Sequence, residues 1–242
     1  MKKVLKTMGV LGLSIFALSA CTNSNTNTNT ISTFIIEESN TEEIESTAVI
    51  DDSKYQVSKE NLAKALNTYD INNFVATTTS YTNERLNSTS KSYKNGNYLK
   101  METNLVYPEK SEQTIYGYLE PDKITEFTYS DDVWNKEVTE ISYIKQEQTK
   151  TIDSIIYDET THTYKMENSS TIGEGTEYES TATINIEYFF ENNKLIKYIS
   201  IAAITYKKKP EQNINGIKSI TEFEYDKAPE IVFPDEILAL LK

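Results

Sequence analysis

From Phe74 almost to the end of the chain, apolar and polar side chains alternate with a period of two, on a background rich in Thr, Tyr, Ile and Val. Such alternation marks half-buried strands. In 181–190, Ala182, Ile184, Ile186, Tyr188 and Phe190 fall on one side, with Thr181, Thr183, Asn185 and Glu187 opposite. In 217–225, Ile217, Ser219, Thr221, Phe223 and Tyr225 oppose Lys218, Glu222 and Glu224. One dry and one wet side per strand is the pattern of an antiparallel sheet. The segment 194–206 departs from it. Leu195, Ile199, Ile201 and Ala203 share one side and Ile196, Tyr198, Ala202 and Ile204 the other, so both sides are apolar and the second needs a cover.

Turn residues punctuate this pattern. Asn95-Gly96 is the strongest hairpin signal, Pro121-Asp122 and Asp131-Asp132 mark two more turns, and Asn192-Asn193 joins two long strands. Helical spacing occurs before and after the strands. Ser58 is placed as an N-cap ahead of Leu62, Ala63, Leu66 and Tyr69, predicting a helix over about 58–70. The tail from Pro234 to Lys242 predicts a short helix with Ile237, Leu238 and Leu241 inward. Residues 141–156 fit a second helix through Ile141, Ile144, Ile152 and Ile155, though their β-branched content also permits a strand. The expected fold class is α+β and mostly antiparallel β: one long curved sheet, a half-barrel, with a few helices on its concave face. A sheet that long curls, and short helices leave part of the concavity as an apolar groove.

The first twenty residues read differently. Lys2, Lys3 and Lys6 precede an uncharged run from Met8 to Ala20 that is too short for a spanning helix and suits a secretory signal core. The run ends in Leu18-Ser19-Ala20-Cys21, which resembles a bacterial lipobox. That resemblance implies cleavage after Ala20 and a diacylglycerol thioether on Cys21, the single cysteine of the chain. Two acyl chains anchor durably where one is marginal. Residues 22–54 carry seven acids, one lysine, an Asn/Thr repeat and little apolar content, a composition that cannot offset chain entropy by burial. As a coil they would span roughly 30 Å. The domain plan is therefore a signal peptide at 1–20, a tether at 21–54 and one β-rich domain at 55–242. The expected location is the extracytoplasmic face of the cell membrane.

Composition narrows the chemistry. The formal charge of −13 argues against a nucleic-acid partner. One histidine and one cysteine exclude an internal disulfide and any usual zinc site, and neither a calcium loop nor a phosphate-binding glycine loop occurs. No cofactor is expected. His162 stands without a nucleophile motif, and Asp131-Asp132 is a close acid pair in a chain with 37 carboxylates, so no catalytic residue is assigned. Trp134 fits a core aromatic better than a sugar platform. Lys207-Lys208-Lys209 reads as a solvated strand end rather than a lipid-headgroup site.

The order of features also bears a family resemblance. A leading helix is followed by Lys94-Asn95-Gly96-Asn97-Tyr98-Leu99-Lys100-Met101, then Tyr116-Gly117-Tyr118, then Asp132-Val133-Trp134-Asn135-Lys136, with Phe223, Tyr225, Ile231 and Pro234 near the end. Over about 58–235 this is similar to the lipoprotein-carrier fold of LolA and of the LppX/LprG lipid-binding lipoproteins. The resemblance implies a cavity for acyl chains and identifies no particular lipid. With the doubly apolar strand, it gives a candidate groove of Ile184, Ile186, Tyr188, Ile199, Ile201 and Phe223. The expectation is a lipid-anchored, non-enzymatic protein holding a lipid or other apolar ligand. The alternative is a surface interaction lipoprotein of immunity, exclusion or adhesion type that contacts a protein through the sheet's outer side.

Overall fold

A computed structural model describes residues 54–141, 152–177 and 179–241. The lipobox, nearly all of the tether and the middle of 141–156 lie outside the described residues.

The N-terminal helix forms where the capping signal placed it. In α1 (Lys59–Leu66) the Ser58 hydroxyl accepts the Asn61 N–H at 3.2 Å, Glu60 and Lys64 pair one turn apart, and Leu62 and Ala65 are buried. The helix stops earlier than the spacing suggests. Asn67 leaves helical geometry and its amide donates to the Asp70 carboxylate, so a 3₁₀ turn over Thr68–Asp70 replaces the last turn. Short polar side chains offer the backbone such alternatives to the helix.

Eleven antiparallel strands follow: β1 (Asn73–Thr82), β2 (Arg85–Asn95), β3 (Tyr98–Leu105), β4 (Ser111–Leu119), β5 (Lys123–Ser130), β6 (Val133–Glu140), β7 (Ile156–Asp158), β8 (Thr163–Ile172), β9 (Ser180–Glu191), β10 (Lys194–Tyr206) and β11 (Ile214–Tyr225). They form one open, curled sheet ordered β6-β5-β4-β3-β2-β1-β11-β10-β9-β8-β7. Two meanders are thus zipped together at β1–β11, and the β6–β7 connection runs from one edge of the sheet to the other. The expected turns all appear. Asp131-Asp132 and Asn192-Asn193 take positive φ at both central positions, as two-residue hairpins demand. At the Asn95 hairpin the strands close as Asn95↔Tyr98, so Gly96, at φ +58°, is the first central residue.

Antiparallel register assigns the faces, because directly opposed residues share one. The inner face, which carries α1, holds Phe74, Ala76, Leu99, Met166, Ile186, Tyr188, Phe190, Leu195, Tyr198 and Phe223; most of these join Val57, Leu62, Ala65 and Tyr69 in the main core. Ile141, Ile152 and Ile155, the described parts of the 141–156 crossing, pack on this same core. One face assignment in β10 needs correction. Leu195 pairs with Phe190 and Lys197 with Phe189, so Ile196 is an extra residue, a β-bulge. The bulge puts Leu195 on the inner face with Tyr198, not with Ile199 and Ile201.

The tail takes the opposite side. Beyond β11, Asn73 grips Ala228 through both side-chain atoms, donating to its carbonyl and accepting its N–H, and Asn95 donates to the Pro229 carbonyl. The chain is thereby led over the strand ends onto the outer face of β2–β6. There Ile231, Phe233 and Ile237 of the tail and its helix α2 (Asp235–Leu241) pack on Phe127, flanked by Tyr93, Tyr116, Tyr118 and Trp134. Leu238 does not point inward as expected. It is 42% exposed, because α2 touches the sheet along the narrow stripe of Ile237 and Leu241, one turn apart.

Candidate functional site

The inner face has two unlike halves. Toward α1 it is a filled core. The buried cluster extends along β10 to Tyr198 and along β9 to Ile186, with Ile184 on its margin. Beyond that line the inner apolar positions of β9, β10 and β11 are only half-buried. Ala182↔Ile204, Ile184↔Ala202 and Ala202↔Ile217 make an apolar strip across β9, β10 and β11. Next to it lies a field of hydroxyls, closed by cross-strand hydrogen bonds: Thr78 with Thr221 at 2.9 Å, Ser80 with Ser219 at 2.9 Å and Ser90 with Thr103 at 3.0 Å. Each of these bonds satisfies one donor and one acceptor, which lowers the cost of laying this half of the face against an apolar body.

The six groove residues foreseen from the sequence are split by this geometry. Ile186, Tyr188 and Phe223 are on the inner face but 3%, 1% and 7% exposed, packed as core rather than as a lining. Ile184 stands at the margin of the open half. Ile199 and Ile201 pair with Glu187 and Asn185 and lie on the outer face. Ile201 is 47% exposed there and lines an open depression of about 670 Å³ with Tyr81, Ile220, Lys218, Asn83 and Gly216. A second depression of about 650 Å³, also on the outer side, lies between the Asn95–Asn97 turn, Tyr98, Tyr118 and the tail at Ile231–Phe233.

Two charged inner-face side chains escaped the sequence reading. Lys94 is buried, its ammonium donating to the Ile71 carbonyl; burial lowers its pKa and Asp70 works against that. In the same row of the sheet, Leu99 and Gly117 separate it from Glu126. The Leu99 side chain lies across Gly117, where a Cβ would come within 3.1 Å of it. Glu126 faces Glu137 directly, and burial first, then that like charge, pushes its pKa up to about 7. The alternation of β2 gives no warning of this, since Ser88, Ser90, Ser92 and Lys94 are all polar.

The remaining candidates resolve locally. His162 sits at φ +53° in the β7–β8 turn, its Nδ1 3.4 Å from the Tyr157 hydroxyl and its ring 5.6 Å from that of Tyr55. Trp134 is half-buried in the outer aromatic cluster, 5.8 Å from Tyr116 and 5.1 Å from Tyr129. Lys207 pairs with Glu179 at 2.6 Å and Lys209 approaches Glu177, so the basic run meets its own acids. Burial raises the Tyr225 hydroxyl to about 12 while it donates to the Leu195 carbonyl at 2.7 Å, and burial likewise raises Tyr188. Among the described residues no group of three or more His, Cys, Asp or Glu side chains could hold a metal ion, and no helix is long and apolar enough to cross a membrane.

Comparison with known proteins adds little to this geometry. No protein-family model matches the chain. Nor does any curated protein sequence. Among solved structures, the S-type phycobiliprotein lyase CPES from Guillardia theta matches 75% of this chain and 100% of its own at 9% identity and a TM-score of 0.32, too loose a likeness to bear on function.

Proposed function

We propose that this protein is a lipid-anchored extracytoplasmic binding protein whose curled sheet holds a lipid or other apolar ligand on the open half of its inner face. The anchor is the diacylglycerol on Cys21, and residues 22–54 are the spacer. The observation that carries the reading is the apolar strip of Ala182, Ile184, Ala202, Ile204 and Ile217, half-buried in an open sheet beside hydroxyls paired across the strands. A leading helix before a curled antiparallel sheet agrees with the resemblance to lipoprotein carriers. Ligand specificity in such a site would come from the shape of the strip and from Asn168 and Ser170, which face Ile184 and Ala182 on the same side of the sheet. Native mass spectrometry of the protein extracted from its producing cells tests this: a bound apolar molecule in stoichiometric amount is expected, and a ligand-free domain would refute it.

The second reading is a protein partner on the outer face. It is favoured by the exposed Ile201 and its depression with Ile220 and Tyr81. Affinity capture yielding a stoichiometric protein and no lipid would establish that reading instead.

A further inference from the structure

The two edges of the open sheet are unlike. Edge strand β6 carries Lys136, Glu137 and Glu140 in eight residues, and Lys136 also donates to the Leu240 carbonyl of α2. Charges of this kind blunt an edge against pairing. At the other end, β7 is three residues long and covers only Thr163 to Lys165 of β8. From Met166 the outer side of β8 has no strand beside it among the described residues, until Gly173, at φ +67°, turns the chain away. The uncovered window is Met166-Glu167-Asn168-Ser169-Ser170-Thr171-Ile172, with one charge and no proline. Glu167, Ser169, Thr171 and Ile172 are exposed in it. An edge so long and so weakly charged is a template for another strand.

We propose that a second copy of this chain occupies that edge, β8 pairing antiparallel with β8 about a two-fold axis through Ser169. This inference stands apart from the ligand and anchor reading. A two-fold antiparallel pairing keeps both copies' inner faces on the same side, so opposed residues must share a face. The window meets this in one register that uses its whole length. Met166 then faces Ile172 of the second copy and Asn168 faces Ser170 on the inner side, while Glu167 faces Thr171 and Ser169 faces Ser169 on the outer side. No like charges oppose each other, and the flanking Lys165 is already engaged by Asp158 at 2.7 Å. Length fits as well. Each β8 ends at Ile172, where the other copy's β7 begins to cover its partner, so the two short strands bracket the seam. The ladder that results makes the sheet continuous through both copies.

The test uses the full-length chain with Cys21→Ser, which removes its only thiol, and adds one new cysteine at a time. Sedimentation of the Cys21→Ser chain is expected to show a dimer at concentrations up to about 100 μM. Ser169→Cys is expected to give a disulfide-linked dimer under mild oxidation, because the paired Cα atoms lie about 4.5–5.5 Å apart. Glu167→Cys alone is expected to stay unlinked, its two copies falling about 14 Å apart. Glu167→Cys with Thr171→Cys is expected to link. Ser169→Lys, at an exposed position, is expected to weaken the dimer tenfold or more with an unchanged urea midpoint at dilutions where both proteins are monomeric. A chain that remains monomeric throughout overturns the proposal, as does linking through Glu167→Cys alone as readily as through Ser169→Cys. Capture of a foreign strand by an otherwise monomeric chain overturns it too.

Discussion

The phenol of Tyr164 closes two hydrogen bonds with the backbone of Val57, accepting its N–H at 2.6 Å and donating to its carbonyl at 2.8 Å. Both residues are buried, and the pair fixes the chain to β8 just before α1 begins. Tyr164→Phe keeps the ring, and with it the contacts to Tyr157 and Phe190, yet strands both backbone groups. A loss of about 1–3 kcal/mol is expected. Urea unfolding measures it, and a change below a few tenths would show that water replaces the hydroxyl.

Phe233 stands at the centre of the outer cluster, edge-on to Tyr98, Tyr116 and Phe127. Phe233→Ala is expected to cost about 3–5 kcal/mol if the tail stays in place, and less if the tail detaches. Limited proteolysis separates the cases: detachment opens cleavage between Asp226 and Asp235 while the sheet stays intact. Asn73→Ala, which removes the grip on Ala228, is expected to show that cleavage more weakly.

Glu126 sets a pH dependence whose sign follows from its pKa of about 7 in the fold against the ordinary carboxylate value of 4.5. Between those two values the folded protein holds a proton that the unfolded chain has released. Stability therefore falls as pH rises from about 4.5 to 7 and stays low above, by an amount on the order of 2–3 kcal/mol. Glu126→Gln is expected to flatten this slope and to be more stable than the parent at pH 8. Urea midpoints at pH 5 and pH 8 check it; equal slopes in the two proteins would remove Glu126 as the cause. Asp158, held down to about 2 first by Lys165 and then by the Thr160 N–H, acts in a separate window, where its contribution is lost as pH falls from 3.8 toward 2.

The two binding readings part at the faces of β10. Ala202→Phe fills the open inner half, and Ile201→Glu places a charge in the outer depression. If the ligand reading holds, the first abolishes lipid recovered by mass spectrometry and the second leaves it unchanged. The reverse pattern in partner capture would support the outer face. Both variants should keep the parent near-UV circular dichroism.

Cys21→Ser is expected to move the protein out of the membrane fraction's lipid-modified form and to end labelling by palmitate. Undiminished labelling would place the acyl chain elsewhere.

Much of the fold was legible because period-two patterning and turn residues act locally. The caps, the hairpin turns and the dry faces of β9 and β11 all follow from neighbours in sequence. What was hidden depends on single residues or on distant partners. Ile196 inserts one residue into β10, and a single insertion reverses every face assignment on one side of it, so strict alternation places Leu195 with Ile199 and Ile201 although the strand does not. The tail announces a helix by its spacing, but the side it covers is decided by Asn73 and Asn95, some 155 and 134 residues away from the carbonyls they hold. The groove was half visible. Ile184 marks its margin, while Ile186, Tyr188 and Phe223 are consumed by the core under α1, whose reach no periodicity discloses.

The central seam governs the order of assembly. Thr78 of β1 meets Thr221 of β11, a partner 143 residues downstream. A growing chain leaving the ribosome can zip β1 to β6 by successive hairpins, but the middle of the sheet stays open until the last strand has been synthesised. Closure of so distant a contact is intrinsically slow. Until β11 arrives, β1 and β10 each present an unpaired edge, so the two meanders stay separate bodies through most of synthesis.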